Sequence, residues 1–127
     1  EVMASKLQVP LDKMGDLSLK STGEARISSV CTVFAESEVV SLVARNHPKE
    51  EILRGLHRAI VNRVWNMVTA LGVRFEVTMS GGVAKNKGVL AFMEEKLGRP
   101  LRIYREPQII GALGAALHAR SLDSSSP

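Results

Sequence analysis

The chain has 127 residues, of which 45% are hydrophobic and 24% are charged, so it is large enough for one modest core and we expect a single unit. No apolar run approaches the roughly 20 residues that a membrane helix needs, and the N-terminus lacks the basic and apolar regions of a signal peptide. From these two observations we expect a cytoplasmic protein. The net charge of +4 is spread along the sequence, which argues against a nucleic-acid partner.

The first third of the sequence predicts helical segments separated by irregular chain. Residues 1–8 are rich in helix formers and begin without a cap, which is typical of a helix that has been cut short. Residues 10–24 predict a connection with a short helical turn around Leu17 and Leu19. The stretch "TVFAESEVVSLVAR", which begins at Thr32, predicts a second helix with one apolar face.

The longest predicted element is a helix within residues 47–72, "HPKEEILRGLHRAIVNRVWNMVTALG". Pro48 is typical of the first helical position, and Gly72 is typical of a C-cap. Apolar residues at helical spacing predict that one face of this helix packs against a core. This apolar stripe consists of Leu53, Leu56, Ile60, Val64, Met67 and Leu71.

The second half predicts two short strands with a helix between them. Residues 73–79, "VRFEVTM", alternate apolar and polar side chains, and residues 101–104, "LRIY", form a second strand. The intervening helix ends at Gly98, and a last helix begins at Pro107 and ends near Ser121. This order predicts two parallel strands joined by a right-handed crossover.

Two strands are too few for a stable sheet, which usually needs at least three. We therefore expect the chain to be one part of a larger α/β domain, mostly helical with a small parallel sheet. Residues 1–121 are expected to be ordered, and the tail at 122–127, which ends in "SSSP", is expected to be flexible.

A glycine-rich stretch, "TMSGGVAKNKG" at 78–88, lies between the first predicted strand and the following helix. Because Gly81 and Gly82 have no Cβ atoms, backbone N–H groups at this turn are accessible, and nucleotides bind at corners of this kind. A turn that only needs a positive φ gives the same pattern. This stretch alone leaves both interpretations open.

Three stretches together carry a family resemblance: "CTVFAESEVVSL" at 31–42, "SGGVAKNKGV" at 80–89 and "PQIIGALGAALHA" at 107–119. They resemble the C-terminal part of the ATP-binding activators of 2-hydroxyacyl-CoA dehydratases and of the ATP-binding subunits of benzoyl-CoA reductase. These proteins belong to the acetate and sugar kinase, heat-shock and actin-like ATPase superfamily. The resemblance implies the C-terminal portion of a ribonuclease H-like domain, and a cleft that binds ATP or ADP with magnesium.

The resemblance also implies which residues bind the nucleotide. It assigns this role to Gly81, Gly82, Val83, Asn86 and Gln108. The Asn86 amide is expected to form hydrogen bonds to ribose or base, whereas Gln108 either faces the adenine or faces water. Lys85 is interpreted as a solvated lysine.

The run "GALGAAL" at 111–117 places small residues on one helix surface. Glycine inside a helix costs up to about 1 kcal/mol relative to alanine, so a close approach is expected to compensate for it. The approaching group is either another element of the fold or the nucleotide.

Cys31 is the only cysteine, and it stands directly before a predicted helix whose N-terminus favours the thiolate. A lone cysteine can also be a small buried hydrophobe. The resemblance implies that Cys31 binds a four-iron four-sulfur cluster shared between two protomers, each of which gives two cysteines. The family's other cysteine, its phosphate-binding loops and its magnesium ligands precede the residues that correspond to Glu1.

The resemblance therefore implies the C-terminal nucleotide-binding part of an ATP-dependent electron-transfer activator or reductase subunit. Its expected partners are an identical copy or a related subunit across the cluster, and an acyl-CoA dehydratase or reductase component. We expect no catalytic residue in this chain and no activity from the fragment alone. Two alternatives are a small-molecule kinase of the same superfamily and a nucleotide-free interaction domain.

Overall fold

A computed structural model describes residues 1–28, 32–74 and 76–123 of the chain. Most of the described residues are helical. The α-helices are α1 (Val2–Leu7), α2 (Met14–Lys20), α3 (Thr32–Ala44), α4 (Lys49–Leu71), α5 (Lys87–Leu97) and α6 (Ile110–Asp123). Short 3₁₀ helices lie at Leu11–Lys13, Gly82–Lys85 and Pro107–Ile109. Within the described residues, every helix is too short or too polar to cross a membrane.

The helices follow the sequence prediction closely. The helix predicted from Thr32 is confirmed as α3, and α4 begins one residue after Pro48 and ends at the predicted cap, Gly72. The predicted turn around Leu17 and Leu19 is a full α-helix, α2, and its Leu17 side chain packs against a cluster of buried apolar residues. The last helix continues to Asp123, and residues 124–127 of the predicted tail lie outside the described residues.

The two predicted strands meet at a single parallel bridge between Thr78 and Arg102. The Arg102 N–H donates to the Val77 carbonyl at 3.0 Å, and the Met79 N–H donates to the Arg102 carbonyl at 3.4 Å. The predicted parallel direction is therefore confirmed, whereas the predicted strand lengths are not reached in the described residues. A two-stranded pair without neighbouring strands has little to hold it in extended form.

Two hydrophobic clusters form the core, and α4 contributes to both. The first cluster contains Ala4, Leu7, Val9, Met14, Ala25, Val39, Ile52, Leu53 and Leu56. The second cluster contains Val61, Val89, Phe92, Met93 and Leu101. The N-terminal half of α4 thus packs against α2 and α3, with α1 in the same cluster, and residues further along α4 pack against α5.

The apolar stripe predicted for α4 is correct in part, and Val64, further along it, packs partly buried against the second cluster. Leu53 and Leu56 are buried, but Ile60, Met67 and Leu71 are 41%, 56% and 90% exposed. The buried first half is crossed by another segment: Ala25 donates its N–H to the Glu51 carbonyl, and the Ala25 carbonyl lies where a Cβ on Gly55 would stand. Which residues of α4 are buried therefore depends on its neighbours, namely this segment, α2 and α5, and not on periodicity alone.

Helix α6 lies on the surface along its length. A Cβ added at Gly111 or Gly114 would meet no atom within 4 Å, so among the described residues no element makes the close approach that was the first of the two alternatives. Ile109, Leu113 and Leu117, which share one side of this helical segment, are each about half exposed.

These exposed apolar side chains predict that the 127-residue chain associates with itself. The weight-average mass in sedimentation equilibrium should rise with concentration. Replacement of Leu113 and Leu117 by Lys should shift the curve toward the monomer. A monomer at every concentration, with a cooperative melting transition, would contradict the prediction.

Candidate functional site

The candidate site is the turn from Ser80 to Gly88, which we call the glycine corner. Gly81 has φ of 85° and ψ of −179°, a backbone conformation that residues with a Cβ rarely adopt. Its N–H donates to the Pro107 carbonyl at 2.8 Å, which ties the corner to the start of the last helical segment. Gly81 therefore has the positive φ that one of the two interpretations of this turn requires.

The corner is open on its outer side. Gly82, Val83 and Gln108 are exposed, and an added Cβ on Gly82 would lie 3.4 Å from the Gln108 Nε2 atom. The structure therefore brings four of the predicted nucleotide-binding residues, Gly81, Gly82, Val83 and Gln108, to one surface. Lys85 lies on the same turn and pairs with Glu106 at 3.2 Å.

Asn86 is the N-cap of α5. Its Oδ1 accepts hydrogen bonds from the N–H groups of Gly88 at 3.0 Å and Val89 at 3.1 Å. These are two of the N–H groups that a helix start leaves without partners, so the cap holds the first turn of α5 in place. The predicted contact of Asn86 with a nucleoside is a separate role that stays a prediction.

Behind the corner, the Asn86 amide contacts a buried histidine. Asn86 Nδ2 lies 3.1 Å from Nε2 of His57, a side chain that is 2% exposed. Because the amide oxygen already accepts two N–H groups, the amide nitrogen must be the donor, and His57 Nε2 must be the acceptor. The ring is therefore neutral with its proton on Nδ1, and burial lowers the pKa of His57 to about 4.

A close crossing of α2 and α5 places these groups. A Cβ on Gly15 would lie 2.8 Å from Asn86 Oδ1 and 2.9 Å from the Gly88 nitrogen. A Cβ on Gly88 would overlap Ser18 Oγ and lie 2.7 Å from His57 Nδ1. Since both positions are glycine, the two backbones approach directly behind the corner.

Sequence reasoning missed this buried side of the site. It placed His57 only within a helix and gave no role to Gly15 or Gly88. One signal was present: His57 follows Leu56 inside the apolar half of α4, where a polar side chain needs a partner.

Arg58 connects α4 to α5 next to this crossing. Its guanidinium donates to Glu95 Oε1 at 2.8 Å and lies 4.4 Å from the centre of the Phe92 ring. It also pairs with Glu24 at 3.4 Å. The hydrogen bond from Arg58 lowers the pKa of Glu95, so this contact persists in mildly acidic solution.

The predicted iron ligand, Cys31, lies outside the described residues. Helix α3 begins at the next residue, Thr32. In the part of the chain that the structure describes, histidine, cysteine and acidic side chains form no group of three that could hold a metal ion.

Comparisons with known proteins agree on one family. The BadF/BadG/BcrA/BcrD ATPase family model matches residues 1–119. The chain is 44% identical over 119 residues to the (R)-2-hydroxyglutaryl-CoA dehydratase activating ATPase of Acidaminococcus fermentans, an alignment that covers 94% of this chain and 46% of that protein. It is 30% identical over 123 residues to one of the benzoyl-CoA reductase subunits of Thauera aromatica, covering 92% and 44% of the two chains.

A solved structure gives the same result. The activator of the 2-hydroxyisocaproyl-CoA dehydratase from Clostridium difficile, with bound ADPNP, superposes with a TM-score of 0.86 at 38% identity. The match covers 99% of this chain and 49% of that one. The chain thus spans about half the length of the relatives that it matches.

The lowered pKa of His57 predicts a pH dependence of stability. Between pH 6.5 and about 4 the unfolded state protonates this histidine while the folded state does not, so the free energy of unfolding should fall as the pH falls. In urea unfolding, the free energy of unfolding should decrease less between pH 7 and pH 4.5 in His57→Gln than in the wild type. Equal losses in the two proteins would contradict the assignment.

Proposed function

The chain belongs to the BadF/BadG/BcrA/BcrD ATPase family. On this basis we propose that it is the C-terminal nucleotide-binding part of a larger ATPase. That ATPase is either an ATP-dependent activator of a 2-hydroxyacyl-CoA dehydratase or the corresponding ATP-binding component of a benzoyl-CoA reductase. The observation that carries the proposal is the open glycine corner, in a chain whose matched structure holds ADPNP. The proposed whole protein couples ATP hydrolysis to electron transfer.

The nucleoside lies against the exposed face of the corner in this proposal. Gly81 and Gly82 present backbone without side chains, so the sugar and base can approach within van der Waals distance. Val83 is 54% exposed beside them and offers an apolar contact. The exposed amide of Gln108, which lies next to Gly82, supplies hydrogen bonds to the base.

Asn86 has one group left for a ligand. Its amide nitrogen carries two hydrogens, and His57 takes only one of them. We assign the second hydrogen to the ribose or the base. The magnesium and phosphate ligands of ATP belong to other parts of the proposed protein, so this chain provides the nucleoside side of the cleft.

We further propose that Cys31 is one ligand of a four-iron four-sulfur cluster. Helix α3 begins at Thr32, and its first N–H groups favour the thiolate form of a cysteine that precedes them. Since the chain has one cysteine, a four-cysteine set needs ligands from another segment and from a second protomer or related subunit. When bound, the cluster supplies one-electron transfer at low potential to an acyl-CoA dehydratase or reductase component, in the cytoplasm.

Replacement of Gly82 by Val in the complete protein tests the nucleotide site. The added side chain meets only the movable Gln108 amide, so the fold should persist, but it stands where the nucleoside approaches. Isothermal calorimetry should detect no ADP binding. Ala70→Val, a similar change at an exposed position of α4, should bind ADP normally. Unchanged ADP affinity in folded Gly82→Val would mean that the corner is only a turn.

Replacement of Cys31 by Ser in the complete protein tests the electron-transfer role. A hydroxyl is a far poorer iron ligand than a thiolate, so iron content and visible absorbance after anaerobic purification should be lost. ADP binding should remain, because the glycine corner uses other residues. Full iron content in the folded variant would refute the ligand assignment and favour a kinase of the same superfamily.

A further inference from the structure

The buried position of His57 lowers the free energy of unfolding of the protein. Its side chain is 2% exposed, and its Nδ1 has no hydrogen-bond partner among the described residues. A buried polar atom without a partner destabilises the folded state, and an aliphatic side chain would avoid this penalty. Among the described residues, its hydrogen-bond partner is Asn86 at 3.1 Å, so the role of the ring must be sought there.

The hydrogen bonds around Asn86 run in a single direction. Gly88 and Val89 donate to the amide oxygen, and the amide nitrogen donates to His57 Nε2. Rotation of the amide by half a turn would break three contacts at once, because oxygen would face an acceptor and nitrogen would face two donors. The imidazole therefore fixes which way the capping amide points.

We propose that His57 is a positioning residue for the nucleoside, acting through Asn86 on the glycine corner. This inference rests on the proposed nucleotide-binding function. Without an acceptor at the Nε2 position, the Asn86 amide is free to turn toward water, and the first turn of α5 loses its cap. The corner then occupies several conformations, and the apparent ADP affinity falls in proportion to the fraction that can bind.

The polar and charged groups near the ring have partners of their own among the described residues. Ser18 Oγ, which borders the ring, donates to the Gly15 carbonyl at 2.8 Å. The neighbouring Arg58 is engaged with Glu24 and Glu95, and Lys87 at the start of α5 pairs with Asp16 of α2 at 3.0 Å. Among the described contacts, the Asn86 amide is thus the polar partner of this imidazole.

Two amide variants that differ by one methylene test the proposal in the complete protein. In His57→Gln the side-chain oxygen reaches about as far as Nε2, so it can accept from Asn86, whereas in His57→Asn it is too short. ADP affinity, measured by calorimetry well below both melting temperatures, should stay close to wild type in His57→Gln. In His57→Asn it should fall about tenfold, the size expected when a buried donor loses its partner. His118→Asn on the exposed helix α6 is the control and should bind ADP normally.

A purely structural role would lower the melting temperature of both variants and leave the ADP affinity of the folded proteins unchanged. That result, or equal weakening by Gln and Asn, would overturn the proposal. Nitrogen NMR of the imidazole gives a second test: the proton of His57 should reside on Nδ1, and a proton on Nε2 would refute the contact. If the wild type fails to bind ADP, the proposed function is wrong, and the tautomer still decides the contact between His57 and Asn86.

Discussion

The N-cap of α5 is the interaction on which the candidate site depends. Asn86 joins the exposed glycine corner on one side to the buried His57 on the other, and its oxygen organises the first turn of the helix between them. The cap is possible because Gly15 and Gly88 let α2 and α5 approach without side chains. A Cβ at either glycine would push the helices apart and move the cap away from the imidazole.

Helix α4 connects this site to the rest of the fold. Its first half belongs to the first hydrophobic cluster, and Val61 belongs to the second, so His57 lies where the two clusters meet along one helix. Arg58, the next residue, binds Glu95 of α5 and Glu24 of the crossing segment. The apolar clusters contribute most of the buried surface, whereas the polar contacts of His57 and Arg58 set how α5 is oriented relative to α4.

The sequence predicts the local features well because local chemistry determines them. Proline and glycine at the ends of α4, helical periodicity in α3, and the positive φ at Gly81 are properties of a few adjacent residues. Other features depend on residues far apart in the chain. These are the crossing of Ala25 over Gly55, the contact between Gly15 and Gly88, and the buried contact of His57. Periodicity alone cannot reveal such pairs, and for the same reason it assigned too much of α4 to the core.

The two sides of the glycine corner have complementary physical roles. The outer face has exposed backbone, the Gln108 amide and the Val83 side chain, and in the proposed function one N–H of the Asn86 amide as well, so it offers a ligand few groups that need to be reordered. The inner face is fixed by the cap, by the Gly81 hydrogen bond to the Pro107 carbonyl and by the crossing helices. A rigid backbone reduces the entropy lost on binding, so a surface with few specific contacts can still discriminate among ligands by shape. In the proposed function, the fixed inner contacts therefore compensate for the small number of side chains that the corner offers to a nucleoside.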